Sequence, residues 1–152
     1  MAMTSGIYGA LLRDVLSNTY AYDLATAGDT IKWQTTTDAL TPDYDAAAPV
    51  EADLTAEVTG TGYTTGGETL AGQDITISSG VLKFDGTDIS LPTTTLGDGG
   101  SGNIFGMVFL DDTLGTPLKP LIVGIDFGAD YQTTAGTLAI TFDSTGIFTI
   151  TY

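Results

Sequence analysis

The chain has 152 residues, 20 of them glycine, and carries 19 acidic side chains against four basic ones, with no histidine and no cysteine. That excludes disulfides, thiolate nucleophiles, cysteine zinc sites and any Ser–His–Asp device. The net charge of −15, with Arg13, Lys32, Lys83 and Lys119 scattered singly, leaves no basic face for nucleic acid or an anionic membrane.

Met1 to Gly6 lacks the basic opening of a secretory signal, and no apolar run approaches the ~18 residues of a membrane span. The expectation is a chain made in a cytosol and assembled there into something larger. Ile7, Leu11, Leu12 and Val15 recur at helical spacing and predict a helix over 5–18. Thr4 or Ser5 suits its start, and Asn18 suits a left-handed stop. The helix either lies over one end of a β core or docks on a partner. After Gly28 the period becomes two. Ile31, Trp33 and Thr35 alternate with Lys32, Gln34 and Thr36 as in a half-buried strand, with Trp33 as a core anchor. Residues 38–53 read as a long acidic loop holding Asp38, Asp43, Asp45, Glu51 and Asp53, the kind of loop that is functional or mobile. Further strands are predicted at 54–59, 68–70, 74–78, 81–85, 88–91, 103–110, 118–127, 136–142 and 146–152. Turns are expected at Gly60/Gly62, Gly66-Gly67, Ser79-Gly80, Asp85-Gly86, Gly97 to Gly102 and Gly128 to Asp130. Asp143-Ser144-Thr145-Gly146 reads as a hairpin turn. Residues 104–110 and 121–127 are apolar on both faces and belong centrally, the latter starting in earnest after Pro120. The fold class that follows is mainly β: an antiparallel β-sandwich or jelly-roll-like domain with one N-terminal α-helix. Residues 1–28 form the arm and helix, and 29–152 the β domain.

Several motifs mimic chemistry. Gly97-Asp98-Gly99-Gly100-Ser101-Gly102 matches a dinucleotide fingerprint, but a strand pattern follows where a helix N-terminus is needed, and Asp98 would repel phosphate. Asp126-Phe127-Gly128 spells a kinase triplet without the rest of a kinase. Asp111-Asp112, Asp43 with Asp45, and Asp126 with Asp130 offer oxygen ligands, yet no full calcium loop is present, and aspartates of this kind read as solvated turn residues. A glycosidase needs two carboxyls across a cleft, and these sit in turn-like contexts. The expectation is a non-enzyme without cofactor or metal. Residues 60–67, Gly-Thr-Gly-Tyr-Thr-Thr-Gly-Gly, read as a glycine-hinged corner with Tyr63 packed inward; the alternative exposes Tyr63 to a partner.

A set of short motifs occurs in order: Asp29-Thr30-Ile31-Lys32, Thr41-Pro42-Asp43-Tyr44-Asp45, Glu57-Val58-Thr59-Gly60-Thr61-Gly62-Tyr63-Thr64, Val81-Leu82-Lys83-Phe84-Asp85, Pro120-Leu121-Ile122-Val123-Gly124-Ile125-Asp126-Phe127-Gly128, and Ile140-Thr141-Phe142-Asp143 with Gly146-Ile147-Phe148. Over roughly residues 29–150 the chain resembles a family of small tailed-bacteriophage virion proteins, head-associated structural or decoration (cement) proteins. That family commonly carries a tryptophan strand near the position of Ile89 to Leu91, where this chain continues into Leu91-Pro92-Thr93-Thr94-Thr95.

The resemblance implies a non-enzymatic protein on the capsid exterior of a virion. Its partners would be the phage major capsid protein and further copies of itself on the shell, with no nucleic acid and no membrane. An acidic domain suits the outside of a DNA-filled shell, whereas a lining protein is expected to be neutral or basic. The expected contact residues are Tyr8, Asp43, Tyr44, Asp45, Tyr63, Asp98 and Asn103, because loops and exposed aromatics carry binding more often than framework strands. A second reading is a tail, adaptor or fibre-associated module that binds a surface glycan through Trp33, Tyr44 or Tyr63.

Overall fold

A computed structural model describes residues 3–97, 102–115 and 118–152. Eleven strands and one helix are present among them, in the order β1 (Gly6–Ile7), α1 (Gly9–Leu16), β2 (Ile31–Thr36), β3 (Gly60–Thr61), β4 (Glu68–Thr69), β5 (Asp74–Ser78), β6 (Val81–Asp85), β7 (Ile89–Leu96), β8 (Ile104–Asp111), β9 (Leu121–Tyr131), β10 (Thr133–Ile140) and β11 (Phe148–Thr151). All pairings are antiparallel. The strands form a five-stranded sheet, β1-β9-β8-β2-β4, and two three-stranded sheets, β10-β7-β3 and β11-β6-β5. The fold is mainly β and sandwich-like, with the helix near the N-terminus.

The layering follows from which strands are apolar on both faces. Ile31, Trp33, Met107, Phe109 and Val123 send side chains from one face of the five-stranded sheet into the main core. There they meet Ile89, Leu96 and Leu138 from one small sheet and Phe84 and Phe148 from the other. Phe84 and Phe148 pack with ring centroids 5.3 Å apart, and Trp33 lies 5.9 Å from Tyr63. The opposite face of the large sheet carries Val108, Leu110 and Leu121 into a second cluster with Met3, Tyr8, Leu40 and Leu54. That second cluster explains the unbroken apolar runs of β8 and β9: each strand feeds a core on both sides. It also explains why β2 is buried almost throughout instead of half-buried, with Thr35 and Thr36 fully covered. Their hydroxyls are satisfied, Thr35 donating to the Val58 carbonyl and Thr36 to the Met3 sulfur.

Several boundaries differ from the sequence expectation. The helix is shorter than 5–18. Gly6 and Ile7 pair with Gly124 and Val123 as β1, and the residue before the helix is Tyr8, with no side-chain cap from Thr4 or Ser5. Ser5 is used elsewhere: its hydroxyl accepts the Asp126 N–H at 2.9 Å. Asn18 does take a left-handed φ of 54° just beyond the helix. Residues 54–59 make an isolated bridge, Thr36 to Glu57, while the expected turn at Gly60 is β3, paired with Leu96 and Thr95. Gly128 does not end its strand. It has a φ of 72° and its N–H is held by the Asp126 carboxylate at 2.7 Å, inside a β9 that continues to Tyr131 opposite Ile104. The register shift between those pairings marks a bulge there. The Asp143–Gly146 turn is real, with Gly146 N–H on the Asp143 carbonyl, but it is not a hairpin. β10 pairs with β7 and β11 with β6, so the turn carries the chain from one small sheet to the other.

Candidate interaction site

The N-terminal arm, the 38–53 loop and β9 meet at one place, and a pair of glycines makes this possible. Gly6 and Gly124 are direct partners across the β1–β9 ladder. Side chains there would collide with Tyr44: a Cβ on Gly6 would lie 2.9 Å from its ring, and one on Gly124 would lie 2.5 Å from its hydroxyl. The two missing side chains form a trough that holds the Tyr44 ring flat against the sheet. The Tyr44 hydroxyl donates to the Thr4 carbonyl, and the Tyr44 carbonyl accepts the Gly9 N–H at 2.8 Å. The ring packs against Tyr8 with centroids 4.9 Å apart. Burial, with a smaller contribution from Asp126, pushes the Tyr44 phenol up to about 12.

Beside this anchor lies a cavity of about 290 Å³. Tyr8, Leu40, Pro49, Leu54 and Leu121 supply its apolar walls, and Asp43 and Asp53 supply carboxylates. Each carboxylate spends one oxygen on its own loop: Asp43 accepts the Asp45 N–H at 3.1 Å and Asp53 the Val50 N–H at 2.9 Å. Burial and then the charges of Tyr44, Asp53 and Asp43 drive the Tyr8 phenol upward, so it stays neutral. An apolar pocket rimmed by two carboxylates has the chemistry to take an aliphatic stem ending in a cation, such as a lysine or arginine side chain of a partner.

The expected contact residues therefore divide. Tyr8, Asp43, Tyr44 and Asp45 come together here, but Tyr8 is buried as a wall and Tyr44 half-buried as the anchor, leaving Asp43 and Asp45 as the exposed members. Tyr63 is elsewhere and buried. Its hydroxyl donates to Glu57 at 2.7 Å, and burial together with that carboxylate raises its pKa and keeps the phenol neutral. The inward packing of Tyr63 is the observed one. Trp33 is buried as well, so neither ring offers a face on which a sugar could stack. Asn103 sits half-exposed ahead of β8, against Gly97, and Asp98 lies outside the described residues. Asp53, Leu121 and the Gly6–Gly124 pair escape sequence reasoning. Only Asp53 carried a signal, as one acid among several in the long loop.

The remaining charges are spent inside the molecule. Arg13 bonds Asp14 at 2.5 Å, Lys83 bonds Asp85 at 3.0 Å, and Lys32 bonds Asp112 at 3.1 Å. Lys119 bridges Glu51 at 3.0 Å and Asp112 at 2.9 Å. Each of the four lysine and arginine side chains is thus paired with a carboxylate of the same chain, and the charge left over is acidic. Although burial opposes it, Lys119 and Lys32 hold the Asp112 carboxyl below its usual range. Asp111 is not the solvated turn residue expected. It is fully buried, accepts the Thr113 and Leu114 N–H groups through Oδ1, and leaves Oδ2 buried without a hydrogen-bond partner. Burial raises its pKa to about 6, with the Asp29 carboxylate adding to the push. Such a residue faces no cleft, as a glycosidase carboxyl must. Among the described residues no group of three or more acids is placed to hold a metal ion, and no helix is long and apolar enough to cross a membrane.

A cavity of about 480 Å³ is the open seam between the sheets, lined mainly by Ile7, Val123, Ile125, Phe127, Phe142 and Phe148. Comparison with protein families, with curated proteins and with solved structures finds no match to this chain.

Proposed function

We propose that the chain is a non-enzymatic virion structural protein that binds the outer surface of a tailed-phage capsid and stabilises it. The observation that carries the reading is the carboxylate-rimmed cavity at Tyr8, Asp43 and Asp53, on a chain whose four cations are all paired internally. A basic side chain of the capsid protein fits that cavity, and the unpaired acids repel DNA and favour the exterior face. The resemblance of its ordered motifs to those of head-associated phage proteins is in keeping with this reading. Binding needs no chemistry from the protein, only a rigid frame and a loop held in place, and the Tyr44 anchor supplies the second.

The test is pelleting of purified chain with undecorated capsids, alongside mass spectrometry of intact virions. The expected result is high-copy presence in virions and stoichiometric capsid binding that weakens with salt. Asp43→Asn with Asp53→Asn should reduce binding by about tenfold or more without unfolding the domain. Absence of the chain from virions, together with no capsid binding, overturns the reading.

A further inference from the structure

The β5 strand carries an inference that goes beyond that reading, because it rests on strand geometry alone. β5 pairs with β6 on one side and has no neighbour on the other among the described residues. The two are joined by Ser79-Gly80, both at positive φ (52° and 79°), which is the two-residue type I′ turn. In that hairpin the residues flanking the turn exchange both backbone hydrogen bonds, and bonded pairs then alternate with non-bonded ones. Ser78–Val81, Thr76–Lys83 and Asp74–Asp85 are therefore the bonded pairs, while Ile77–Leu82 and Ile75–Phe84 are not. The Tyr152 N–H donates to the Gly80 carbonyl at 3.0 Å, which agrees with this phase, since it turns Gly80 towards the β11 side. The N–H and C=O groups of Ile75 and Ile77 consequently point out from the open edge.

The side chains tell the same story. The row Ile75–Phe84–Phe148 lies in the core, but the next row, Ile77–Leu82–Ile150, projects past it, and Ile77 is 66% exposed. Protected edges usually carry a lysine, a proline or a bulge. β5 has none of these: its register with β6 is unbroken, and its one charge, Asp74, sits at the far end beside the Thr26 hydroxyl.

We propose that this edge pairs with β5 of a second copy of the chain, antiparallel about a two-fold axis at Thr76. That register sets Ile75 opposite Ile77 of the second copy, so all the outward backbone groups of these residues meet in four hydrogen bonds. It lays the exposed Ile77 of each chain beside Ile75 of the other and joins the two three-stranded sheets into one. It also sets Asp74 opposite Ser78, so that no acid faces an acid across the pair. For a chain of charge −15, a self-complementary strand with neutral central residues lets a second copy approach without setting acid against acid. The proposal also supplies a surface for copies to meet side by side on a shell.

Sedimentation velocity over a concentration series, at about 0.15 M and about 0.5 M NaCl, tests it. The expected result is a reversible dimer, more populated at the higher salt because screening relieves the repulsion. Ile77→Lys and Ile77→Pro should each weaken association by more than about tenfold. The N–H that the proline removes points outward, so no hydrogen bond to β6 is lost and any fall in melting temperature should be small. Thr137→Lys, on the open edge of β10, should leave the dimer intact. Amide exchange at Ile75 and Ile77 of the unaltered chain should slow as concentration rises, which decides the matter even if both variants fold poorly. A chain monomeric throughout, a dimer that survives both Ile77 variants, or exchange indifferent to concentration overturns the proposal. No capsid enters the assay, so its outcome is independent of the virion reading.

Discussion

Asp111→Asn should stabilise this protein at neutral pH and leave it little changed in mild acid. The carboxyl is fully buried at the end of β8, with one oxygen accepting two N–H groups and the other without a partner. Its pKa rises from 3.8 to about 6. A carboxyl whose folded-state pKa lies above its unfolded value binds its proton more tightly in the folded chain. Folding stability is then greatest below the unfolded value and falls as pH rises from about 4 to about 6. At about 1.4 kcal/mol per unit, a shift of roughly two units costs up to about 3 kcal/mol at neutral pH. Asparagine keeps the oxygen that accepts from Thr113 and Leu114, carries no charge to bury, and gives N–H donors towards Asp29. Urea denaturation at about pH 3.5 and about pH 7.5 reads the difference between variant and parent, in which the other carboxylates largely cancel. The expected gain is near zero at the lower pH and about 1–3 kcal/mol at the higher, or several degrees in melting temperature. A variant less stable than the parent at pH 7.5, or a gain equal at both pH values, refutes the reasoning.

Further outcomes follow from the anchor, the ion pairs and the core. Gly124→Ala puts a methyl group against the Tyr44 hydroxyl, so it should cost about 1–3 kcal/mol. Spectrophotometric titration should show that phenol moving down from about 12 towards its ordinary value as the ring is expelled. Lys119→Met removes the cation that bridges Glu51 and Asp112, leaving Asp112 to Lys32 alone and Glu51 to the Gln34 amide, and should cost about 1–2 kcal/mol at neutral pH. That loss should shrink as pH falls from the ordinary carboxylate value through the lowered folded-state value of Asp112, when followed by melting across a pH series. Phe84→Ala empties the junction of the β6 sheet with the main core and should cost about 3–5 kcal/mol by urea denaturation.

The strands of this fold were legible because period-two apolar patterning and glycine-marked turns are local. β5, β6 and β8 begin and end within a residue or so of where their residues predict. What was illegible depends on partners far along the chain. Gly6 and Ile7 look like the start of a helix, and only the ladder to β9 makes them a strand. Asp143–Gly146 has the composition of a hairpin turn, but composition does not say that its flanks join different sheets. An Asp-Asp pair has the look of a solvated turn, and only the packing of β8 shows that Asp111 is enclosed while Asp112 is clamped between two lysines. The acidic loop was visible as a loop with a purpose, yet the cavity within it is made by Tyr8 and Leu121, which come from elsewhere in the chain.

The glycine trough under Tyr44 also bears on the order in which the molecule assembles. Ser5 meets Asp126 across 121 positions of chain, and Tyr44 meets Thr4 across 40. Closing such distant loops is entropically slow, and it rewards the chain only after β8 and β9 are already paired. The arm and its tyrosine latch are therefore expected to close last on folding and to open first in native-state exchange, ahead of the central sheet. The carboxylate-rimmed cavity, whose wall includes Tyr8 from that arm, exists only once the latch is shut. A nascent or partly folded copy thus lacks the cavity proposed above to take a basic side chain.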